Sequence, residues 1–158
     1  MAKTSFTVFR AGTKDLALAR EAIAHVHERP VANDSTIDYF LNDPTCYLML
    51  AVEDGRVIGS LNGHSLRRPH RSNLQFLLYE IDVAAAHRKQ GVGHALVSAF
   101  TAEARAAGAD EIWVLTNESN RAAFSLYSKC GFRRVNEDDV MMSLALEQGG
   151  TRTAGLRT

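Results

Sequence analysis

The stretch from Leu74 to Ala107 constrains the fold of this chain more than any other. Leu74 to Val83 begins continuously apolar and ends in alternation, the pattern of a long strand. A polar loop follows, with Gly91 and Gly93 close together. Then Leu96, Val97, Phe100 and Ala104 recur at helical spacing. A strand, a glycine loop and a helix start in that order make an anion site. The first helical turn carries amide N–H groups without internal partners, and the helix dipole adds partial positive charge there. Glycine at 91 and 93 keeps a Cβ out of the anion's way, and Arg88 and Lys89 add positive charge. Two common phosphate loops are excluded. A dinucleotide loop needs glycine or alanine at position 96, where Leu96 stands. A nucleoside-triphosphate loop needs Gly-Lys followed by Ser or Thr, which is absent.

Around this unit the pattern predicts one α/β domain with a mixed sheet, without internal repeat or linker. Thr7 to Arg10 reads as a short strand, and Asp15 to His27 as a helix with Leu16, Ala19, Ile23 and Val26 on one stripe. Ser35 caps a second, short helix that Asp43-Pro44 breaks. Tyr47 to Val52 and Val57 to His64 read as strands joined by a hairpin at Glu53-Asp54-Gly55-Arg56. Gly108 closes the central helix, Glu111 to Leu115 is a buried strand, and Asn120 to Cys130 is a helix closed by Gly131. Phe132 to Val135 and Val140 to Leu146 read as two final strands around Asn136-Glu137-Asp138-Asp139. The expected order is β-α-α-β-β-β-α-β-α-β-β. The folded domain is expected to span 1–147, and 148–158, which lacks periodicity, to form a disordered tail.

A chain of 158 residues, 46% of them apolar, suits one domain with a real core. Its formal net charge of zero argues against a nucleic-acid partner. No apolar run approaches the roughly 20 residues needed to span a bilayer. Met1 to Phe6 shows no signal-peptide pattern, so a cytoplasmic location without a membrane partner is expected. Cys46 and Cys130 have neither metal nor redox spacing. His25 and His27, two apart, point to different sides of a helix, and His64, His70, His87 and His94 fall in other elements, so no metal is expected. Arg67, Arg68, His70 and Arg71 make a basic connection, read as a solvated loop; a contact to a cofactor phosphate or to a partner is the alternative.

The spacing Arg88-x-x-Gly91-x-Gly93 resembles the acyl-CoA pyrophosphate loop of the GNAT superfamily of N-acetyltransferases. Further on, Asn120-x-x-Ala123-x-x-x-Tyr127-x-x-x-Gly131-Phe132 is similar to that superfamily's second motif, a helix beside the pantetheine arm. Both motifs occur in the family's order, and the resemblance covers Thr7 to Leu146. It implies acetyl-CoA as the cofactor. The pyrophosphate would lie on Arg88, Lys89, Gln90, Gly91, Val92 and Gly93, with His94 in the same helical turn. Pantetheine would pair with backbone groups of Ile81, Asp82 and Val83, where the strand splays, and would meet Asn120 and Phe124. The implied reaction is direct attack of an amine on the thioester. Tyr127 stands where the family tyrosine protonates the leaving sulfur, although it also lies on the apolar face of its helix, as a core aromatic would. Glu80 stands where many members carry an acid facing the acceptor cleft. As general base it would contribute roughly 10²–10⁴ in rate; a salt-bridged surface acid is the competing reading.

Tyr79-Glu80-Ile81-Asp82-Val83 followed by His87-Arg88-Lys89-Gln90-Gly91 is similar to the type I aminoglycoside 3-N-acetyltransferases. The chain departs from that pattern in Glu80 for Asp, in Gly93 for Ala, and around Asn136 to Val140. The resemblance implies a polycationic small-molecule amine as acceptor. Asp34, Tyr79, Glu137, Asp138 and Asp139 are the candidate contacts to it, since carboxylates on loops and strand ends attract ammonium groups. A GNAT enzyme for another amine (a polyamine, an amino acid or a protein N-terminus) is a second reading. A non-catalytic acyl-CoA-binding module is a third, against which Glu80 and Tyr127 together argue. Members of the family often dimerise, so the resemblance admits a homodimer.

Overall fold

The computed structural model describes residues 5–146, so the tail expected at 148–158 lies outside the described residues. Five strands form one sheet in chain order: β1 (Thr7–Arg10), β2 (Cys46–Glu53), β3 (Arg56–Arg67), β4 (Leu74–Val83) and β5 (Ala109–Val114). The first four are antiparallel neighbours, and β4 and β5 run parallel. A parallel pair needs a crossover, which α3 (Val92–Ala106) supplies. The other helices are α1 (Leu16–Glu21), α2 (Asp34–Asn42) and α4 (Arg121–Lys129). The mixed sheet and α/β class are those expected from the sequence.

Alternation along β2 builds a core on each face of the sheet. Tyr47, Met49 and Ala51 join Leu61, Phe76 and Leu78 against Leu96 and Phe100 of α3 and Tyr127 of α4. Leu48 and Leu50 join Val57 against Ala19, Ala22 and Val26 of the first helical segment and Ile37 of α2. Helix α3 lies close because β3 offers it glycines. A Cβ at Gly59 would stand 2.9 Å from Val92 Cγ1, and one at Gly63 would stand 2.5 Å from the Leu77 carbonyl and enter the Phe100 ring.

Three expectations change. The helix predicted from Asp15 to His27 is α-helical only over Leu16–Glu21; it widens into a π turn over Ala22–Val26, and the His27 N–H reaches back to the Ala22 carbonyl at 3.0 Å. The two strands predicted at Phe132–Val135 and Val140–Leu146 do not form. The apolar pattern is there, but an isolated hairpin is marginal in water, and this one does not pair with the outer edge of β5. Val135 and Met142 are 78% and 89% exposed. Finally, the basic connection sits at the start of β4, where Arg68 Nη2 donates to both carboxylate oxygens of Asp110 at 2.7 and 2.8 Å. The glycine loop follows the other end of the same strand, about 30 Å away at ~3.3 Å per residue. The connection read as a solvated loop is thus partly anchored, with the Arg68 side chain 18% exposed.

Candidate active site

The sheet opens at the C-terminal half of β4. Strand β3 pairs with β4 as far as Val83, but β5 pairs with it only over Leu74–Leu78. Residues 79–83, including Ile81 and Asp82, therefore have one edge without a strand. A bulge accompanies the opening. Asn62 pairs with Glu80 and Gly63 with Leu78, so Tyr79 is the extra residue. The bulge turns Tyr79 outward, 66% exposed. It also resets which side chains face which layer. Ile81 and Val83 pack with the α3 side of the core. Glu80 and Asp82 fall on the opposite face, beside their cross-strand partners Asn62 and Ser60.

The glycine loop has the geometry of an anion cradle. Gly91 is the N-cap of α3 and left-handed at φ 88°, and Lys89 is left-handed at φ 61°, a conformation that costs a non-glycine residue energy. No side chain caps the helix, so the amides of Val92, Gly93 and His94 are left for a ligand. Loop side chains act as struts. Arg88 Nε donates to the Val83 carbonyl at 2.9 Å, Gln90 Nε2 donates to the Ala86 carbonyl at 2.8 Å, and His87 Nε2 lies 3.2 Å from Glu53 Oε2. Arg88 thus takes one of the two acceptor positions of the Val83 carbonyl. Val92 can contribute only backbone, its side chain being buried. Gly93 has a packing neighbour. A Cβ there would stand 3.2 Å from Leu126 Cδ2, so this glycine serves the packing of α4 on α3, whereas Gly91 has open space around it.

Tyr127 is buried, and its hydroxyl is pushed up to about 12, first by burial, then by the negative charge of Asp82 and that of Cys130. It therefore keeps its proton at neutral pH. Its ring packs on Phe132 at 5.7 Å between centroids, as a core aromatic does. Tyr127 and the half-exposed Phe124 border an open cleft between β5 and the chain after α4. Asn120 caps α4: its Oδ1 accepts from the Ala123 N–H at 3.2 Å. Only its NH₂ side is left for a ligand. His94 is exposed, with Nδ1 3.4 Å from Ser98 Oγ.

The residue that sequence reasoning missed is His27. The π turn carries its side chain onto the sheet face that holds Glu80 and Asp82, where it is 5% exposed. Its Nε2 lies 2.6 Å from Ser60 Oγ, and its Nδ1 lies 3.1 Å from Asp82 Oδ2 and 3.6 Å from Glu80 Oε1. Arg29 Nη2 stands 3.5 Å from Glu80 Oε1, and Asn62 Nδ2 donates to Glu80 Oε2 at 3.5 Å. His27, Glu80 and Asp82 offer donor atoms within 4.8 Å of one another, a grouping the helical spacing of the histidines did not foretell. One signal was available. Ser60 and Asn62 interrupt an apolar strand at period two, which marks one face of β3 as polar.

The acidic residues expected at the acceptor do not converge on this cluster. Asp34 is paired with Arg20. Glu137, Asp138 and Asp139 lie in the exposed chain after α4, where Asn136 Nδ2 donates to Asp139 at 3.1 Å.

The sheet opens beside a helix start that no side chain caps, an arrangement suited to an anionic ligand laid along a free strand edge. The chain belongs to the acetyltransferase (GNAT) family, whose profile matches residues 15–132. It is similar to N-acetyltransferase 8 of Rattus norvegicus, 26% identical over 98 residues, which are 62% of this chain and 44% of that protein. The match thus spans less than half the length of that relative. It is also similar to the aminoalkylphosphonate N-acetyltransferase of Salmonella typhimurium, 31% identical over 94 residues, 60% of this chain and 61% of that one. Among solved structures, an aminoglycoside acetyltransferase, HMB0005, from an uncultured soil metagenomic sample superposes with a TM-score of 0.80 at 24% identity, covering 90% of this chain and 99% of that one. The aminoglycoside acetyltransferase meta-AAC0020, from a similar sample and in complex with sisomicin, gives 0.77 at 19% identity, covering 90% and 97%. At those identities the likeness concerns the fold. Among the described residues no helix is long and apolar enough to cross a membrane.

Proposed function

We propose that the protein is an acetyl-CoA-dependent N-acetyltransferase that acetylates an amino group of a polycationic small molecule, the 3-amino group of an aminoglycoside in the most specific form of the reading. The observation that carries the acetyl transfer is the pair Glu80 and Asp82 on one face of β4 at the opening of the sheet; the exposed carboxylates Glu137, Asp138 and Asp139 support a polycationic acceptor. Acetyl-CoA supplies the thioester carbonyl that the amine attacks. The chain's own residues do the rest. The α3 N-terminus and Gly91 receive the pyrophosphate. The free edge of 79–83 aligns the pantetheine amides as an added strand would. Glu80 takes a proton from the ammonium, because an ammonium has no lone pair to attack with. Tyr127 gives its proton to the departing sulfur.

A second reading has a specific observation in its favour. Arg29, 68% exposed at its side chain, places a cation beside Glu80. A small amine carrying its own acidic group would use it, and the aminoalkylphosphonate enzyme is among the relatives. Thiol release from acetyl-CoA, measured over a panel of a gentamicin-type aminoglycoside, a polyamine, an amino acid and an aminoalkylphosphonate, separates the readings. Turnover confined to the aminoglycoside supports the first, and turnover confined to the phosphonate supports the second. Acetyl-CoA binding with no release over the whole panel removes both.

A further inference from the structure

We propose that His27 is a positioning residue which, aimed by Ser60, clamps Asp82 and Glu80 into a single proton-accepting pair for the acceptor ammonium; this rests on the N-acetyltransferase reading. Ser60 is fully buried, and a buried hydroxyl needs a partner. Among the described residues its partner is His27 Nε2 at 2.6 Å. The other ring nitrogen faces two carboxylates, which when ionised can only accept. Nδ1 therefore carries a hydrogen, and the ring's orientation is set from both sides. Two carboxylates this close repel each other. The Nδ1–H between them, 3.1 Å from Asp82 and 3.6 Å from Glu80, offsets that repulsion.

The backbone is bent to reach this arrangement. The π turn at Ala22–Val26 delivers His27, and Glu28 beyond it is left-handed at φ 51°. Turns of this kind inside helices are frequent at functional sites. The charged and titratable groups that face His27 are Glu80 and Asp82 from β4. Arg29 from its own segment stands against Glu80, and Tyr127 from α4 senses the charge of Asp82. Ser60, His27 and Asp82 share the bonding order of a hydrolase triad, but a serine with no exposed surface is no nucleophile. The hydroxyl aims the ring, and the ring aims the carboxylates.

The proton path balances. One ammonium N–H bond breaks, and its proton goes to a carboxylate oxygen of the pair. The freed lone pair forms the C–N bond, the C–S bond breaks with its electrons on sulfur, and sulfur takes the proton of Tyr127. The second proton shed by the new amide nitrogen returns to the phenolate.

The test combines spectra and kinetics. Long-range ¹H–¹⁵N spectra of the histidine-labelled wild type should show His27 protonated at Nδ1, with the pattern unchanged by EDTA. In kinetics, His27→Ala should lose about 100-fold in kcat, the scale of an ångström of misplacement. The KM for acetyl-CoA should be unmoved, and the acid limb of the kcat/KM profile should be displaced. His27→Asn, whose amide N–H can still reach Asp82, should recover most of the loss; with Ser60→Ala it carries the test if His27→Ala does not fold. An Nε2–H tautomer, or a loss confined to the KM for acetyl-CoA, would overturn the proposal. So would activity abolished by chelation and restored by zinc, which would make the cluster a metal site. A wild type that turns over no amine sinks the acetyltransferase reading, and the spectra alone then decide the clamp.

Discussion

Replacing each loop glycine by alanine separates the two jobs that the sequence merged. Gly91 sits at φ 88° with nothing within 4 Å of where a Cβ would be, so the penalty at this site is conformational and not steric. A left-handed alanine costs about 1–2 kcal/mol, offset in part by the smaller entropy of the unfolded chain, about 0.4–1 kcal/mol. The fold should lose no more than about 1.6 kcal/mol. The loop has a cheaper escape, which is to rotate out of the left-handed region. That rotation would re-aim the amides of the anion cradle. If the strain is released at the expense of ligand contacts, coenzyme A binding weakens by roughly 5- to 30-fold, the same 1–2 kcal/mol at 1.4 kcal/mol per tenfold. Gly93 behaves differently. Its φ is unstrained, and the new methyl meets Leu126 Cδ2 at 3.2 Å, the movable end of a side chain. Alanine gains helix propensity of up to about 1 kcal/mol and gives some back as Leu126 shifts. Gly93→Ala should therefore fold within about 0.5 kcal/mol of wild type, a margin ordinary for substitutions that meet no special feature, and bind coenzyme A nearly unchanged. Calorimetric titration with coenzyme A and urea unfolding of both variants provide the comparison. A larger affinity loss for Gly93→Ala than for Gly91→Ala would refute the assignment of the cradle to Gly91.

Other expectations follow from the same geometry. Glu80→Gln should lower kcat by roughly 10²–10⁴ near neutral pH and regain activity as pH rises and free amine accumulates; steady-state pH profiles check this. Tyr127→Phe should lower kcat without moving the KM for acetyl-CoA. Because burial lifts Tyr127 from 10.0 to about 12, it is neutral in both folded and unfolded states below pH 10 and adds no slope there. Between those values only the unfolded chain gives up the proton, so stability falls with rising pH by up to about 1.4 kcal/mol per unit. Urea unfolding from pH 9 to 11 should show that slope in wild type and not in Tyr127→Phe. Gly63→Ala drives a Cβ to 2.5 Å from the Leu77 carbonyl, a backbone atom that cannot swing aside, and should cost about 1–3 kcal/mol or more in denaturant unfolding. Asp138→Asn with Asp139→Asn should raise the KM for a polycationic acceptor and leave that for a monoamine in place.

What was legible in the sequence is what depends on local pattern. Leu96, Val97, Phe100 and Ala104 announced α3, and the Gly91 turn announced the cradle. The apolar run Tyr47 to Val52 announced the strand β2, which in the fold carries a core on each face. What was hidden depends on backbone irregularity. A helix period assigned His25 and His27 to different sides, and a π turn has another period, so the ring that meets Glu80 could not be placed from spacing. The bulge at Tyr79 is equally invisible in composition, yet it decides that Glu80 and Asp82 share a face with Ser60. The alternation at 132–146 was real and still did not make strands, because pairing depends on a partner edge that the pattern does not encode.

The charges at the cluster bear on how an acceptor is chosen. Glu80 and Asp82 bring two negative charges, Arg29 brings one positive charge, and His27 lies between the two carboxylates. With a neutral ring the net local charge is −2 + 1 = −1, enough to draw one ammonium to the thioester and not several. Asp34, which might have drawn a second, is spent on Arg20. The chemistry at Glu80 is therefore indifferent to what lies beyond the reacting amine. Preference for a polycation has to arise from the exposed run Glu137-Asp138-Asp139, where three carboxylates in water act over about a Debye length, ~8 Å at physiological salt. Discrimination of that kind is electrostatic and long-ranged, so it fades as salt is added. The proposed transfer of the ammonium proton to the Glu80–Asp82 pair, made at contact distance, does not.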